Sequence, residues 1–343
     1  MDGSLVFPIA TPPALGETIP IAPGIHWLRM RLPFALNHIN LWLLEDGPSW
    51  TIVDCGYALD ETRDAWQRIF ADGLGGRPVH RVIVTHYHPD HIGLASWLTE
   101  RWDAPLWITE QEFAHAQMHA YGTGGDGIEA LRRDFALRAG LDNASSSVFA
   151  IRQNGYRRGV PSLPAEHEMI AEGSVIEIGG RKWRVIIGEG HAPEHACLYC
   201  AEAGVLIAGD QILPKISPNI SVQTYDPEGD PLSRYLASLQ KLRDALPPDI
   251  LVLPSHNLPF HGVHQRIDEL AAHHHARCDD ATAACARPSS AADLLPVLFR
   301  RQLDSHQMGF ALGEALAHLH YLERLGTLTR EHGLDGVDRF LAT

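Results

Sequence analysis

The chain has 343 residues, 45% hydrophobic and 20% charged, which suits a soluble globular protein with one large domain and an appendage. The net charge is −14, and the densest basic spots, Arg132-Arg133 and Arg157-Arg158, are too small to form a nucleic-acid-binding stripe. No apolar run approaches the ~20 residues that span a membrane, no secretory signal is visible after Met1, and five cysteines are too sparse for a disulfide framework, so a cytoplasmic location without a membrane partner is expected.

In chain order, residues 1–24 carry Pro8, Pro12, Pro13, Pro20 and Pro23 and read as an extended arm. Such an arm covers the domain or a partner subunit, which leaves a homodimer open. Strands are expected at Ile25–Leu32, Ile39–Glu45 and Trp50–Val53, the last after the turn Asp46-Gly47-Pro48. Asn37-His38-Ile39-Asn40, between the first two, reads as turn chemistry in preference to part of a site that it could approach. A helix over Leu59–Ala71 leads to the apolar run Val82-Ile83-Val84, the body of the next strand. A short strand at Pro105–Ile108 is followed by helices at Glu110–His119, Gly127–Leu141 and Ala144–Tyr156, with a glycine-rich break over 122–127. These helices form an insertion at about 110–160, placed to serve as lid, pocket wall or dimer surface. A second sheet is expected to run through Glu166–Ile170, Val175–Ile178, Lys182–Ile187, Ala196–Tyr199 and Val205–Ala208, with Gly179-Gly180 as a hairpin turn. Cys197 and Cys200 read as core residues, and His273-His274-His275 as part of a solvated helix. Beyond the linker-like 286–290, helices at Ala291–Phe299 and Met308–Leu325 precede two short strands, Gly326–Glu331 and Val337–Leu341.

The stretch Thr85-His86-Tyr87-His88-Pro89-Asp90-His91 sets three imidazoles and one carboxylate directly after the 82–84 strand. His86 and His88, two apart, project to the same side of an extended segment. Asp90 and His91 follow just as Ile92–Leu98 takes up a helical pattern, which turns them towards a neighbouring point. That arrangement suits two adjacent metal ions better than one. Neutral imidazole with carboxylate favours zinc, with iron or manganese as alternatives.

This motif resembles the signature of the metallo-β-lactamase-fold hydrolases, the superfamily of glyoxalase II, lactonases and many esterases. The resemblance covers roughly residues 25–265. It implies an α/β fold, the αββα sandwich of two mixed sheets flanked by helices. A catalytic domain at 25–280 would follow the 1–24 arm, and 286–343 is similar to the small, mostly helical winged-helix tail of some relatives. It also implies further ligands downstream, and His191, Asp210 and His256 stand at strand ends in the required order. One metal then takes His86, His88 and His191, the other takes Asp90, His91 and His256, and Asp210 bridges them. Asp54, before Gly56, supports a ligand imidazole or the metal loop from behind, whereas His195 contributes packing and no metal contact. The implied reaction is dinuclear metal-dependent hydrolysis of a small-molecule ester, thioester or lactone. In it a metal-bridging hydroxide attacks the carbonyl, and Asp90 orients that nucleophile and passes its proton to the leaving group. A phosphodiesterase or ribonuclease using the same site is disfavoured by the charge of −14. A mononuclear iron sulfur dioxygenase is disfavoured by the complete second ligand set. Lys215 stands where it meets either a substrate carboxylate or solvent.

Overall fold

The structure, a computed structural model, describes residues 5–122, 126–151, 155–299, 303 and 305–343. Positions 123–125 of the expected glycine-rich break and 152–154 of the expected 144–156 helix lie outside that set.

Two compact units are present, the first comprising residues 1–122, 154–218 and 242–267. Its larger sheet has seven strands in sequence order: β1 (Ile19–Ala22), β2 (Ile25–Arg31), β3 (His38–Asp46), β4 (Ser49–Val53), β5 (Val79–Ile83), β6 (Leu106–Ile108) and β7 (Glu168–Met169). β1 to β4 pair antiparallel, and β4 to β7 parallel. The other sheet is an antiparallel meander of β8 (Val175–Ile178), β9 (Arg181–Gly188), β10 (His195–Cys200) and β11 (Val205–Gly209), with β12 (Leu251–Pro254) parallel to β11.

The period-two alternation of the strands explains the layering. β3 sends Trp42 and Leu44 to one side and Leu41 and Leu43 to the other. Trp27, Trp42, Val53 and Ile83 join Trp183, Leu198, Ile207 and Leu253 in a core between the sheets. On the opposite face Leu28, Leu41, Ile52 and Val82 pack with Trp66, Leu98 and Phe113 from helices Asp60–Arg68, Ala95–Trp102 and Glu110–Tyr121. Each such buried side chain contributes about 1.5–3 kcal/mol relative to exposure. Two mixed sheets flanked by helices are the arrangement expected.

Two local expectations are corrected. Residues 168–169 pair with β6, through Trp107↔Glu168 and Ile108↔Met169, and so extend the first sheet, not the second. Both residues are exposed, so no buried alternation in the sequence marks their sheet. The proline-rich arm is also more ordered than expected: Val6 bridges to His261, and Pro20 sits in edge strand β1, where a missing N–H is tolerated.

The second unit comprises residues 123–153, 219–241 and 268–343. It includes helices Asp126–Arg138, Asn143–Ala150, Ala291–Leu298 and Ser305–Arg324, and the antiparallel hairpin β13 (Leu328–His332) and β14 (Asp338–Ala342). The histidine run is not uniformly solvated. On helix Val263–Ala284, His273 and His275 are exposed, while His274 is buried on the stripe of Leu270, Cys278 and Ala281. His318 Nδ1–H donates to the Glu314 carbonyl at 2.8 Å, so its Nε2 accepts from His274 Nδ1–H at 3.3 Å. Burial pushes His274 down to about 3 and His318 to about 4, and lifts Glu314 to about 7.

This cluster makes stability pH-dependent. Between about pH 6.5 and 4.5 each histidine binds a proton only when unfolded, and Glu314 binds one only when folded. The net is one proton taken up on unfolding, so stability falls by about 1.4 kcal/mol per unit of acidification. Removing one histidine should flatten that contribution. Urea denaturation of the parent and His274→Asn at pH 6.5 and 5 should show slopes differing by about that amount; parallel slopes would refute the assignment.

Candidate metal centre

Each of the expected side chains follows a strand of the first unit, at its end or in the loop and short helix after it. β5 ends at Ile83, and two residues later the chain enters the loop carrying His86 and His88. Asp90 and His91 lie on the short helix Pro89–Ile92, where Pro89 occupies the first turn without wasting an N–H. His191 follows β9, Asp210 follows β11 and His256 follows β12. Carboxyl ends of strands are where such sheets place ligands.

The fold brings these seven side chains into two groups, His86, His88, His191 and Asp210 in one, and Asp90, His91 and His256 in the other. Within each, one nitrogen or oxygen per residue lies within 4.8 Å of the others. Asp210 faces both groups. Its Oδ2 is 3.5 Å from His191 Nε2, and its Oδ1 is 3.3 Å from His256 Nε2 and 3.6 Å from His91 Nε2. Asp90 Oδ2 lies 3.5 Å from His256 Nε2 and 3.8 Å from His91 Nε2.

The rings are aimed from behind. His91 Nδ1–H donates to Asp54 Oδ2 at 2.8 Å, and His256 Nδ1–H to the His38 carbonyl at 2.8 Å, which leaves both Nε2 atoms facing inward. Asp54 is fully buried with φ 64°, and its Oδ1 also accepts the Thr85 N–H at 2.8 Å. Burial and the neighbouring imidazoles hold His86 and His88 well below the usual histidine range, hence neutral and able to ligate. Burial opposes charge on His91, yet Asp54, Asp90 and Asp210 outweigh it and raise this histidine well above its ordinary value. Burial likewise opposes charge on Asp210, but His256 and His91 keep its carboxyl well below the usual range. Among the described residues, His91 Nε2 and Asp210 Oδ1 are buried without a hydrogen-bond partner. The carboxylates that draw a proton to His91 Nε2 would draw a cation in its place, and a nitrogen and oxygen donor set of this kind fits divalent metal ions.

The family described as Metallo-beta-lactamase superfamily matches residues 36–256, the span that contains all seven side chains. The chain belongs to that superfamily. A second family, Metallo-beta-lactamase-like, C-terminal domain, matches residues 278–343. The chain is similar to a crystal structure of a beta-lactamase domain protein from Burkholderia ambifaria, at 47% identity and a TM-score of 0.91 over 99% of this chain and 98% of that one. It is 27% identical to Probable metallo-hydrolase YflN of Bacillus subtilis (strain 168), over 74% of this chain and 91% of that protein. It is 26% identical to Acyl-coenzyme A thioesterase MBLAC2 of Gallus gallus, over 69% of this chain and 79% of that protein. As a metallo-hydrolase of this superfamily, the chain carries a fold that implies divalent-metal binding.

Several residues around the superfamily centre escape sequence reasoning. Asn37–Asn40, expected as a turn, instead braces the His256 loop. His38 Nε2 accepts the Asn257 N–H at 2.9 Å, and the buried Asn40 amide donates to the Pro254 carbonyl at 2.8 Å. Asn40 Oδ1 accepts from Trp27 Nε1 and Arg29 Nε, each at 2.9 Å, while Arg29 also donates to the Asn257 carbonyl. The available signal is a polar residue within the apolar run Ile39-Asn40-Leu41. His195 lies outside both groups. Its Nε2 accepts the Asp210 N–H at 3.0 Å, its ring stacks on His86 at 4.7 Å, and burial pushes it down to about 3. Gly209 (φ 52°) leaves room for that ring, since a Cβ there would lie 2.3 Å from His195 Nε2. Lys215 is exposed and lies over the Phe7 ring at 5.9 Å.

Proposed function

We propose that this chain is a dinuclear metal-dependent hydrolase of acyl bonds, with thioesters the first class to test and esters and lactones beside them. The observation that carries the reading is Asp210, one oxygen of which faces each group of ligands. His86, His88 and His191 would hold one ion, Asp90, His91 and His256 the other, and Asp210 both. When bound, two divalent ions, zinc by this donor set, supply Lewis-acid activation of water and of the substrate carbonyl. Asp54 keeps the His91 proton on Nδ1, and the His38 carbonyl does the same for His256. Asp90 is the more open carboxylate, its side chain 18% exposed against 10% for Asp210. It therefore orients water and carries a proton on its carboxylate to the leaving group. The thioester preference draws support from the acyl-coenzyme A thioesterase relative.

Elemental analysis of protein purified without added metal or chelator, followed by assays on acyl-coenzyme A, ester, lactone and phosphodiester substrates, tests this. About two equivalents of divalent metal with thioester turnover is the expected result. One equivalent of iron, or phosphodiester cleavage alone, would overturn the acyl-hydrolase reading. No metal uptake on titration would overturn the ligand assignment.

A further inference from the structure

Glu112 lies in the first turn of helix Glu110–Tyr121, is fully buried, and belongs to neither group of ligands. Its Oε2 accepts the Tyr87 N–H at 2.9 Å, and its Oε1 accepts the Glu194 N–H at 2.6 Å. Tyr87 stands between His86 and His88, and Glu194 lies three residues after His191. One carboxylate thus ties together the two loops that carry three imidazoles of the same group. The second loop answers in kind. Glu194 Oε2 accepts the Gln111 N–H at 3.2 Å, and its carbonyl accepts from Thr109 Oγ1 at 3.0 Å.

We propose that Glu112 is a positioning residue that holds these two loops in register and thereby sets the metal affinity of the His86, His88 and His191 site. The inference rests on the metal-site reading above. A carboxylate in dry surroundings is costly: burial pushes Glu112 up, while the two backbone N–H groups, one on each oxygen, favour the ionised form that accepts both. No Lys or Arg pairs with it among the described residues, so an ion pair does not account for its burial. An aliphatic side chain of equal size would fill the space at lower cost. Only a group with two acceptor oxygens can bind both N–H groups at once. Glutamine offers one oxygen and turns an NH₂ towards the other donor.

Zinc affinity, measured by competition with a chelator on the full chain, provides the test. Glu112→Gln should weaken one of the two equivalents by about 10–100-fold and leave the other near its starting value. Glu110→Gln, an exposed carboxylate on the same turn, should change neither. In a His191→Ala background, which already cripples that site, the Glu112→Gln effect should shrink, because both changes act on one site. Unchanged affinity in Glu112→Gln, or equal loss at both sites, would overturn the proposal while leaving the metal reading intact. A parent chain that takes up no zinc overturns both. If Glu112→Gln does not fold, hydrogen exchange on the unmutated, metal-free protein decides. Protected Tyr87 and Glu194 amides support the clasp, and exchange as fast as at exposed amides overturns it.

Discussion

Asp90→Ala is expected to slow turnover by about 10²–10⁴-fold at saturating metal, the range over which a positioned acid–base group acts. Two effects must be separated, because Asp90 Oδ2 also lies among the ligands, 3.5 Å from His256 Nε2. Removing the carboxylate therefore weakens the Asp90, His91 and His256 group as well as the proton path. Asp90→Asn distinguishes them, since its amide keeps a neutral oxygen of similar reach but cannot accept and return a proton at neutral pH. With metal content verified in the same samples, kcat should fall in both variants, and KM should move less. Asp210 cannot replace it. Its two oxygens already face opposite groups, and its carboxyl is held low by His256 and His91. Near-parental kcat in fully loaded Asp90→Asn would show that another group moves the proton.

The parts of the centre that could be read from the sequence are those set by short range. His86, His88, Asp90 and His91 announce themselves by spacing at a strand-to-helix junction. His191, Asp210 and His256 are legible only through the family resemblance, each being a single polar residue after an apolar strand. The braces behind them are a different matter. Asn40 bonds to Pro254, 214 positions away, and Glu112 to Glu194, 82 away, and nothing local records either pairing. Their common trait is a polar group buried in apolar company, a trait visible only once burial is known. Helix Pro231–Ala245 has no counterpart among the expected elements although its start is marked, with Asp230 accepting the Ser233 N–H and Pro231 in the first turn. The composition of the second unit was not legible either. Residues 219–241 fall in one compact unit with 268–343, and no local signal links two segments so far apart in the chain.

Asp54→Asn is expected to weaken the Asp90, His91 and His256 site while sparing the backbone. Asp54 holds φ at 64°, a left-handed conformation that asparagine also tolerates, so the exchange isolates one charge. The carboxylate now receives three donors: His91 Nδ1–H at 2.8 Å, Thr85 N–H at 2.8 Å and Thr85 Oγ1–H at 2.9 Å. An amide has one acceptor oxygen. Placed on Thr85, it points its NH₂ at His91 Nδ1, and the imidazole must then carry its proton on Nε2. That atom faces Asp210 and Asp90, so the change of tautomer blocks a ligand from behind without touching the front of the site. Zinc affinity of this group should fall by about 10–100-fold, with the His86, His88 and His191 group much less affected. Metal-free stability should drop by about 3–5 kcal/mol, as for a buried ionic pair that has lost one partner. Asp54→Ala should be worse in urea denaturation, because it adds about 1–2 kcal/mol of left-handed strain to the same loss. Two variants with equal stability would mean that φ at residue 54 relaxes freely. Parental zinc affinity in Asp54→Asn would mean that His91 keeps its orientation by some other contact, and that Asp54 serves the loop backbone through Thr85 alone.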